Sequence, residues 1–354
     1  MLQRSVGIDA LRGALSFWVI FVHVVPWAEI SQGSDAVLVP VQSFAKAASV
    51  IFQPHGETNP AVLMFIVLSG YCIQKSWMNN PDMRNFFIRR AFRIVPVFVL
   101  GIALGIFGFQ FARSISPVTE LLSGTKSIEL ICVLAKASAL AALLPAFHPC
   151  TYIGNAPLLT VMVEMTLYAA FPLLLWTGRK VIVAACAGCL LVGVIIAARG
   201  SGLFDWWQNS SLYGFLPYWW IGAAFAMLRQ PPSRRFLIWA VVAWAALTLF
   251  CQIDKSALFS EIRKIPFSLL TGVAIMALER TSMPKLTSLI GRAGYSIYAL
   301  HAPILYTLVL LGVPWEACIA ACLLVGLCSF YLIEQPLDKY GRSIVQTKLV
   351  TMRG

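Results

Sequence analysis

The first apolar segment of the chain, IDALRGALSFWVIFVHV at residues 8–24, carries three ionisable side chains, Asp9, Arg12 and His23. An arginine can bind a phosphate or a developing oxyanion, and a neutral imidazole can take a proton from a hydroxyl. Residues eleven apart on an α-helix differ by about 1100° in direction, which is within roughly 20° of full turns, and by about 16 Å along the axis. Arg12 and His23 therefore share one face of a predicted helix, and this pairing favours a functional site.

This face is polar over several turns, because Asp9 and Ser16 lie within about 40° of it. If the helix spans a membrane, a charge at its middle costs at least about 2.5–3.5 kcal/mol and usually contacts a partner or a watery cavity. The alternative is a structural pair, in which Arg12 extends to the inner membrane surface and His23 hydrogen-bonds a neighbour.

Two later apolar segments carry polar side chains as well. Glu164 lies one turn before Tyr168 in LLTVMVEMTLYAAFP, and YSIYALHAPIL contains Ser296, Tyr298 and His301. A carboxylate in an apolar interior needs a cation, a proton or a hydrogen-bond donor. Several helices are therefore expected to bring ionisable groups to one interior, although a single membrane histidine such as His301 is more often structural.

The segment NNPDMRNFFIRRAFRIVPVF is rich in arginine. Arg89 lies one turn before Arg93, and Arg90 lies three residues before it, so the guanidinium groups can converge on one multiply charged ligand. A phosphate-rich cytoplasmic cofactor fits this pattern. The alternative is that these arginines only orient the neighbouring helices in a membrane.

The helices that must position these residues are predicted to span a membrane. Of the 354 residues, 59% are hydrophobic and 12% are charged, with a mean hydropathy of +0.79, which excludes an ordinary soluble protein. We expect an all-α, polytopic integral membrane bundle of about ten transmembrane helices, each crossing about 30 Å of hydrocarbon. The predicted spans are 13–30, 60–77, 93–112, 158–176, 181–198, 212–228, 236–253, 264–279, 294–312 and 315–333.

Positive charge sets the expected orientation. With a cytoplasmic N-terminus, the inner segments carry eighteen Lys and Arg residues and the outer segments eight, as the positive-inside rule favours. If the further apolar stretch 128–146 crossed, the cations at 179–180 and 229–235 would face outward. We therefore expect 128–146 to be re-entrant or interfacial on the non-cytoplasmic side and both termini to be cytoplasmic. The net charge of +12 indicates contact with anionic lipids and no nucleic acid.

No metal site is expected. His55 and His148 lack the paired spacing of a metal site and are interpreted as loop residues or acceptor contacts. Most of the nine cysteines lie in apolar stretches, and Cys186 and Cys189 are expected to pack without reacting.

These motifs, in this order, resemble those of acyltransferase family 3, whose integral membrane proteins include bacterial O-acetyltransferases of surface polysaccharides, lipopolysaccharide and nodulation oligosaccharides. Arg12 and His23 match its R-x10-H signature, and FIVLSGY at 65–71 resembles its FxLSGF element. Arg90 and Arg93 match its R-x-x-R motif. YSIYALHAP and IEQP resemble its two closing signatures.

A further element, VEMTLYAAFP, resembles the family's E-x-x-F-Y-x-x-x-P, with Glu164 at the acidic position and Leu167 where an aromatic residue is usual. The resemblance covers nearly the whole chain, so residues 1–354 are expected to form a single transmembrane acyltransferase domain. No SGNH-type esterase domain is expected after the last predicted span, and the membrane domain is expected to act alone or with another protein.

The resemblance implies transfer of an acyl group, with acetyl expected, from cytoplasmic acetyl-CoA. The acceptor would be a hydroxyl of a carbohydrate or glycolipid at the non-cytoplasmic side of a bacterial inner membrane. Expected partners are thus acyl-CoA, this acceptor and membrane lipids, and a thioester donor needs no metal.

The resemblance also implies which residues form the site. The expected catalytic residues are His23 as general base, Arg12 and Glu164. The expected cofactor-binding residues are Arg89, Arg90 and Arg93, and the expected substrate-binding residues are Asp9, Tyr168, Ser296, Tyr298 and His301. Glu164 would orient His23 or bind acceptor hydroxyls.

Two other classes of protein would also place charged residues in a membrane interior. A polysaccharide or lipid-linked sugar transporter or flippase would show no dependence on CoA. A lipid-linked glycosyltransferase would need an acidic catalytic residue in its first outer loop, where Asp35 and Glu57 lie without a supporting motif. A metal requirement would distinguish that class.

Overall fold

The computed structural model describes residues 5–52, 58–200, 202–254, 256–281 and 285–351, and within these ranges the chain forms helices and no β-strand. His55 and Glu57 lie outside the described residues. The helices are α1 (Val6–Gln32), α2 (Val39–Phe52), α3 (Pro60–Asn79), α4 (Met83–Ile115), α5 (Thr119–Ser123), α6 (Leu130–Ala137), α7 (Leu140–Leu143), α8 (Leu158–Thr177), α9 (Arg179–Ala198), α10 (Leu203–Asn209), α11 (Leu212–Met227), α12 (Arg234–Ile253), α13 (Ala257–Glu279), α14 (Lys285–Arg292), α15 (Gly294–Leu310), α16 (Trp315–Ser329) and α17 (Gln335–Thr351). Short 3-10 segments lie at Ser34–Ala36 and Pro145–Cys150, and a π-helical turn lies at Phe330–Glu334.

Among the described residues, seven helices are long and apolar enough to cross a membrane. These are α1, α3, α4, α8, α9, α12 and the stretch Trp315–Val345, which runs from α16 into α17. This result confirms the prediction of an all-α, polytopic membrane protein. The other three predicted spans are helical too: α11 and α15 have 16 and 17 residues, and α13 carries Glu261, Arg263 and Lys264. The count of ten and the side of each terminus stay predictions.

The apolar stretch 128–146 is broken into short helices. α6 has eight residues and so rises about 12 Å, against the roughly 30 Å of a bilayer core. The chain then turns at Ala139, whose φ is 61°, and continues as the four-residue α7. The stretch therefore does not form the single long helix that crossing would need, and its re-entrant or interfacial placement stays a prediction.

A disulfide between Cys132 and Cys150 joins α6 to the 3-10 segment after α7. Beside it, the fully buried Lys136 donates from Nζ to the carbonyl oxygens of Ile153 (3.2 Å) and Asn155 (2.7 Å). Burial lowers the pKa of Lys136 to about 7. The disulfide was not predicted, because two cysteines 18 residues apart carry no pairing signal of their own.

Glycines on α3 and α11 allow the backbones of these two helices to touch. A Cβ atom on Gly70 would overlap the carbonyl oxygen of Trp219, and one on Gly222 would overlap that of Val67. Small residues at a crossing are the usual way for membrane helices to approach closely. The crossing fixes the position of α3, whose Cys72 contacts α1.

α1 packs equally closely against α14 and α15. A Cβ atom on Gly291 of α14 would overlap the carbonyl oxygen of Asp9. Ser16 is fully buried and donates from Oγ to the carbonyl oxygen of Gly294, at the start of α15 (3.0 Å). These contacts turn the polar face of α1 toward the interior of the bundle.

We expect Gly222→Ala to destabilise the protein by about 1–3 kcal/mol, because the added methyl group must push α3 away from α11. Gly188→Ala is the matched control, since among the described residues no atom other than the backbone of its own helix lies within 4 Å of a Cβ placed on Gly188 and alanine is the better helix former. Thermal unfolding of the detergent-purified variants measures both effects. Equal melting temperatures for the two variants would contradict the close crossing.

Candidate active site

The polar face of α1 carries a guanidinium that is held on two sides. Arg12 Nη1 donates to Asp9 Oδ1 (3.2 Å), one turn earlier on the same helix. Arg12 Nη2 donates to the Sγ of Cys72 on α3 (3.1 Å). Asp9 is 1% exposed, so this ion pair lies largely out of solvent. Asp9 thus fixes Arg12, and neither residue needs a substrate to order it.

A cavity of about 80 Å³ lies between α1, α3, α4, α8 and α15. That volume admits several water molecules. Its wall contains six of the eleven predicted site residues, namely Arg12, Arg90, Arg93, Glu164, Tyr168 and Tyr298. The unpredicted polar residues of the wall are Ser69, Cys72, Thr160 and Tyr295. Residues far apart in sequence therefore meet at one place.

Arg90 contacts aromatic rings in this cavity. Its guanidinium carbon lies 5.5 Å from the ring centroid of Tyr168 and 6.0 Å from that of Phe86, which are cation–π distances. The hydroxyl of Tyr168 is in turn hydrogen-bonded to Ser69 Oγ (2.8 Å). Among the described residues, no carboxylate forms an ion pair with Arg90. Its charge is therefore available to an anionic ligand.

Arg93 is held differently, by a carboxylate from the far end of the chain. Its Nε lies 3.7 Å from Oε1 of Glu334, and Ser296 Oγ donates to Oε2 of the same carboxylate (2.6 Å). Glu334 is 2% exposed and lies on the π-helical turn, a distortion that is frequent at functional sites. Ser296, predicted to bind substrate, thus orients Glu334.

Arg89 does not line the cavity, although its spacing from Arg93 predicted that it would join the cluster. Its Nε donates to the carbonyl oxygen of Asn85 on the same helix (3.1 Å). Successive helical residues point about 100° apart, so Arg89 and Arg90 leave the helix in different directions. Only the R-x-x-R pair of the three predicted cofactor-binding arginines reaches the cavity.

The predicted base, His23, lies outside the cavity and contacts a second histidine. Its Nδ1 lies 3.1 Å from Nε2 of His301, and its ring stacks on that of Trp27 with centroids 5.1 Å apart. His301 is fully buried, and its Nδ1 lies 2.7 Å from the carbonyl oxygen of Tyr298. Tyr298 also lines the cavity, so it stands between the cavity and the histidine pair.

The partner of His23 was not predicted. Glu164 was expected to orient His23 or to bind the acceptor, and the structure places Glu164 in the cavity wall while His301 contacts His23. A histidine on each of two apolar helices was the signal in the sequence that could have suggested the pair. Helical periodicity compares residues of one helix only, so it could not test this contact.

A separate polar cluster joins two of the segments predicted to lie outside. Asp205 Oδ2 accepts from the hydroxyl of Tyr152 (3.1 Å) and lies 2.8 Å from Nε2 of His148. Its Oδ1 accepts from Asn209 Nδ2 (2.8 Å). The hydrogen bond from His148 lowers the pKa of Asp205. His148 was interpreted as a loop residue or acceptor contact, and this carboxylate partner was not predicted.

Comparison with known proteins gives the family. A family model described as "Acyltransferase domain" matches residues 5–333. Among curated proteins, the chain is similar to "Nodulation protein 10" of Rhizobium leguminosarum bv. viciae, at 24% identity over 369 residues, covering 96% of this chain and 95% of that protein. No solved structure matches the chain. The chain therefore belongs to acyltransferase family 3 and is a multi-pass membrane acyltransferase.

Proposed function

We propose that the protein is an O-acyltransferase of the bacterial inner membrane that moves an acyl group, acetyl in the simplest case, from cytoplasmic acetyl-CoA. The acceptor is a hydroxyl of a carbohydrate or glycolipid at the non-cytoplasmic side. The observation that carries this proposal is the cavity in which Arg12, Arg90 and Arg93 face Glu164. Such a cluster suits a donor that carries phosphates and a polar acyl end.

Within the proposal, Arg90 is the primary phosphate contact, because its guanidinium lines the cavity over the rings of Tyr168 and Phe86 and forms no ion pair with a carboxylate among the described residues. Arg93 can exchange its long contact with Glu334 for a phosphate oxygen. Arg12, one helix away, steers the arm of the donor that carries the thioester. Bidentate contacts between guanidinium and phosphate supply both affinity and orientation.

His23 acts as the general base. A sugar hydroxyl is a poor nucleophile until a positioned base takes its proton. His23 accepts that proton, the hydroxyl oxygen attacks the thioester carbonyl, and the carbon–sulfur bond breaks. The leaving CoA thiolate then recovers the proton from His23, so the base is regenerated and the acyl group stays on the acceptor.

The distance between the two halves of the site fits an extended donor. Arg12 and His23 are separated by about 16 Å of helical rise. CoA carries its thioester at the end of a long flexible arm, so its phosphates can stay at Arg90 while the thioester approaches His23. Tyr298 lies next to both parts of the site, since it lines the cavity and its ring centroid lies 5.7 Å from that of His301.

The disulfide supports the proposed orientation. Disulfides persist in oxidising compartments and are rare in the cytosol. Cys132 and Cys150 lie in the segment between α4 and α8 that positive charge predicts to be outside. The arginines that begin α4 then lie at the cytoplasmic end, where acetyl-CoA is present.

We expect Arg90→Ala to weaken acetyl-CoA binding by about 10- to 100-fold, the size of one lost charge-assisted hydrogen-bonding contact. Binding to the detergent-purified wild type should weaken with added salt, and the variant should show a smaller salt dependence. Arg84→Ala is the matched control, since Arg84 lies on the same helix and is exposed. Absence of acetyl-CoA binding by folded wild-type protein would contradict the donor assignment and favour a transporter.

We expect His23→Ala to reduce acyl transfer by about 100-fold or more, because the hydroxyl loses its base. Acetyl-CoA binding should be unchanged, since His23 does not line the cavity. The measurement is the content of O-acetyl groups on the surface carbohydrates of cells that carry each variant at equal membrane levels. Undiminished transfer in His23→Ala would remove His23 from the mechanism.

A further inference from the structure

The hydrogen bonds of His301 determine where its proton lies. His301 Nδ1 lies 2.7 Å from the carbonyl oxygen of Tyr298. A carbonyl oxygen can only accept, so Nδ1 of His301 carries a hydrogen. His301 is fully buried, no carboxylate among the described residues contacts its ring, and a charged ring is costly in such a place. Its ring is therefore neutral, with an unprotonated Nε2.

The same reasoning then fixes the proton of His23. His301 Nε2 lies 3.1 Å from Nδ1 of His23. Since His301 can only accept at Nε2, the Nδ1 of His23 must donate. A neutral His23 then keeps its lone pair on Nε2. Among the described residues no group hydrogen-bonds to that nitrogen, so its lone pair is not engaged within the protein.

Ring contacts hold His23 in this orientation. The planes of His23 and Trp27 lie within 5° of parallel with their centroids 5.1 Å apart. The planes of His23 and His301 lie within 11° of parallel with their centroids 5.3 Å apart. Turning the His23 ring over would replace the Nδ1 hydrogen bond by a C–H contact. One ring orientation and one tautomer are therefore favoured together.

We infer that His301 is a positioning residue: it accepts the Nδ1 proton of His23 and thereby presents the unprotonated Nε2 of His23 as the base. The inference rests on the proposed function, in which His23 takes a proton from a hydroxyl. It gives His301 a different role from the predicted substrate contact, because its side chain is buried and both ring nitrogens are engaged. After proton uptake the same hydrogen bond stabilises the charged His23 ring.

The tautomer of His23 can be measured by NMR of the full-length, detergent-purified protein labelled with 15N-histidine. The chain has four histidines, and His23→Gln identifies the signals of His23 by their loss. We expect a protonated Nδ1 and an unprotonated Nε2 for His23 at neutral pH. A free histidine side chain favours the opposite tautomer, so a hydrogen on Nε2 in the wild-type protein would overturn the inference without any variant.

Two substitutions of His301 test whether this residue determines the tautomer of His23. His301→Gln keeps an acceptor, its side-chain oxygen, and should preserve the Nδ1–H form of His23. His301→Leu removes the acceptor, so the proton of His23 should move to Nε2, and acyl transfer should fall by about 100-fold or more. Acetyl-CoA binding should stay unchanged in both variants. An unchanged His23 tautomer in folded His301→Leu protein would contradict the inference, whatever its activity.

The tautomer of His23, measured by NMR, and the acyl-transfer activity separate this inference from the proposed function. The nitrogen signals report on His23 in the absence of any substrate. If the tautomer is as inferred but His23→Ala retains full transfer, the positioning contact stands and the proposed role of His23 fails. If His23→Ala is inactive and the wild-type proton lies on Nε2, the proposed function stands and the role of His301 fails.

Discussion

A guanidinium inside a membrane protein has to be compensated where it lies, and the contacts of Arg12 govern the arrangement around it. Its terminal nitrogens contact Asp9 on the same helix and Cys72 on α3. An uncompensated charge at the middle of a bilayer would cost at least about 2.5–3.5 kcal/mol. α1 is therefore rotated so that its polar face meets α3. Because His23 shares that face, the same rotation brings it to His301 on α15.

This arrangement separates the site into two parts along one helix. The cavity at the level of Arg12 is lined by arginines and one carboxylate. The level of His23 instead contains two imidazole rings, those of His23 and His301, which can both be neutral. Tyr298 belongs to both, since its side chain lines the cavity and its carbonyl oxygen accepts from His301. A donor with charge at one end and a reactive group on a long arm suits such a layout. A compact donor could not reach both levels at once.

Features within one helix were predictable from the sequence, and contacts between helices were not. Spacing alone predicted that Arg12 and His23 share one face of α1 and that Arg89, Arg90 and Arg93 of α4 can converge on one ligand. The side chain of Arg89 does not join the other two, because it turns back and hydrogen-bonds to its own helix. Spacing could not exclude Arg89, since it does not say where the ligand lies. The partner of His23 is 278 residues away, and Cys132 and Cys150 pair across the turn at Ala139 that follows α6. Such contacts depend on helix rotation and tertiary packing, which periodicity does not contain.

The proposed binding of the acyl donor in the cavity can be tested by the reactivity of Cys72. Cys72 lines the cavity, whereas Cys328 is exposed on α16 and serves as an internal control in the same molecule. The measurement is the rate at which a small thiol reagent modifies each cysteine, followed by mass spectrometry, with and without acetyl-CoA. We expect acetyl-CoA to slow the modification of Cys72 and to leave that of Cys328 unchanged. Equal modification of Cys72 with and without saturating acetyl-CoA would contradict the assignment of the cavity to the donor.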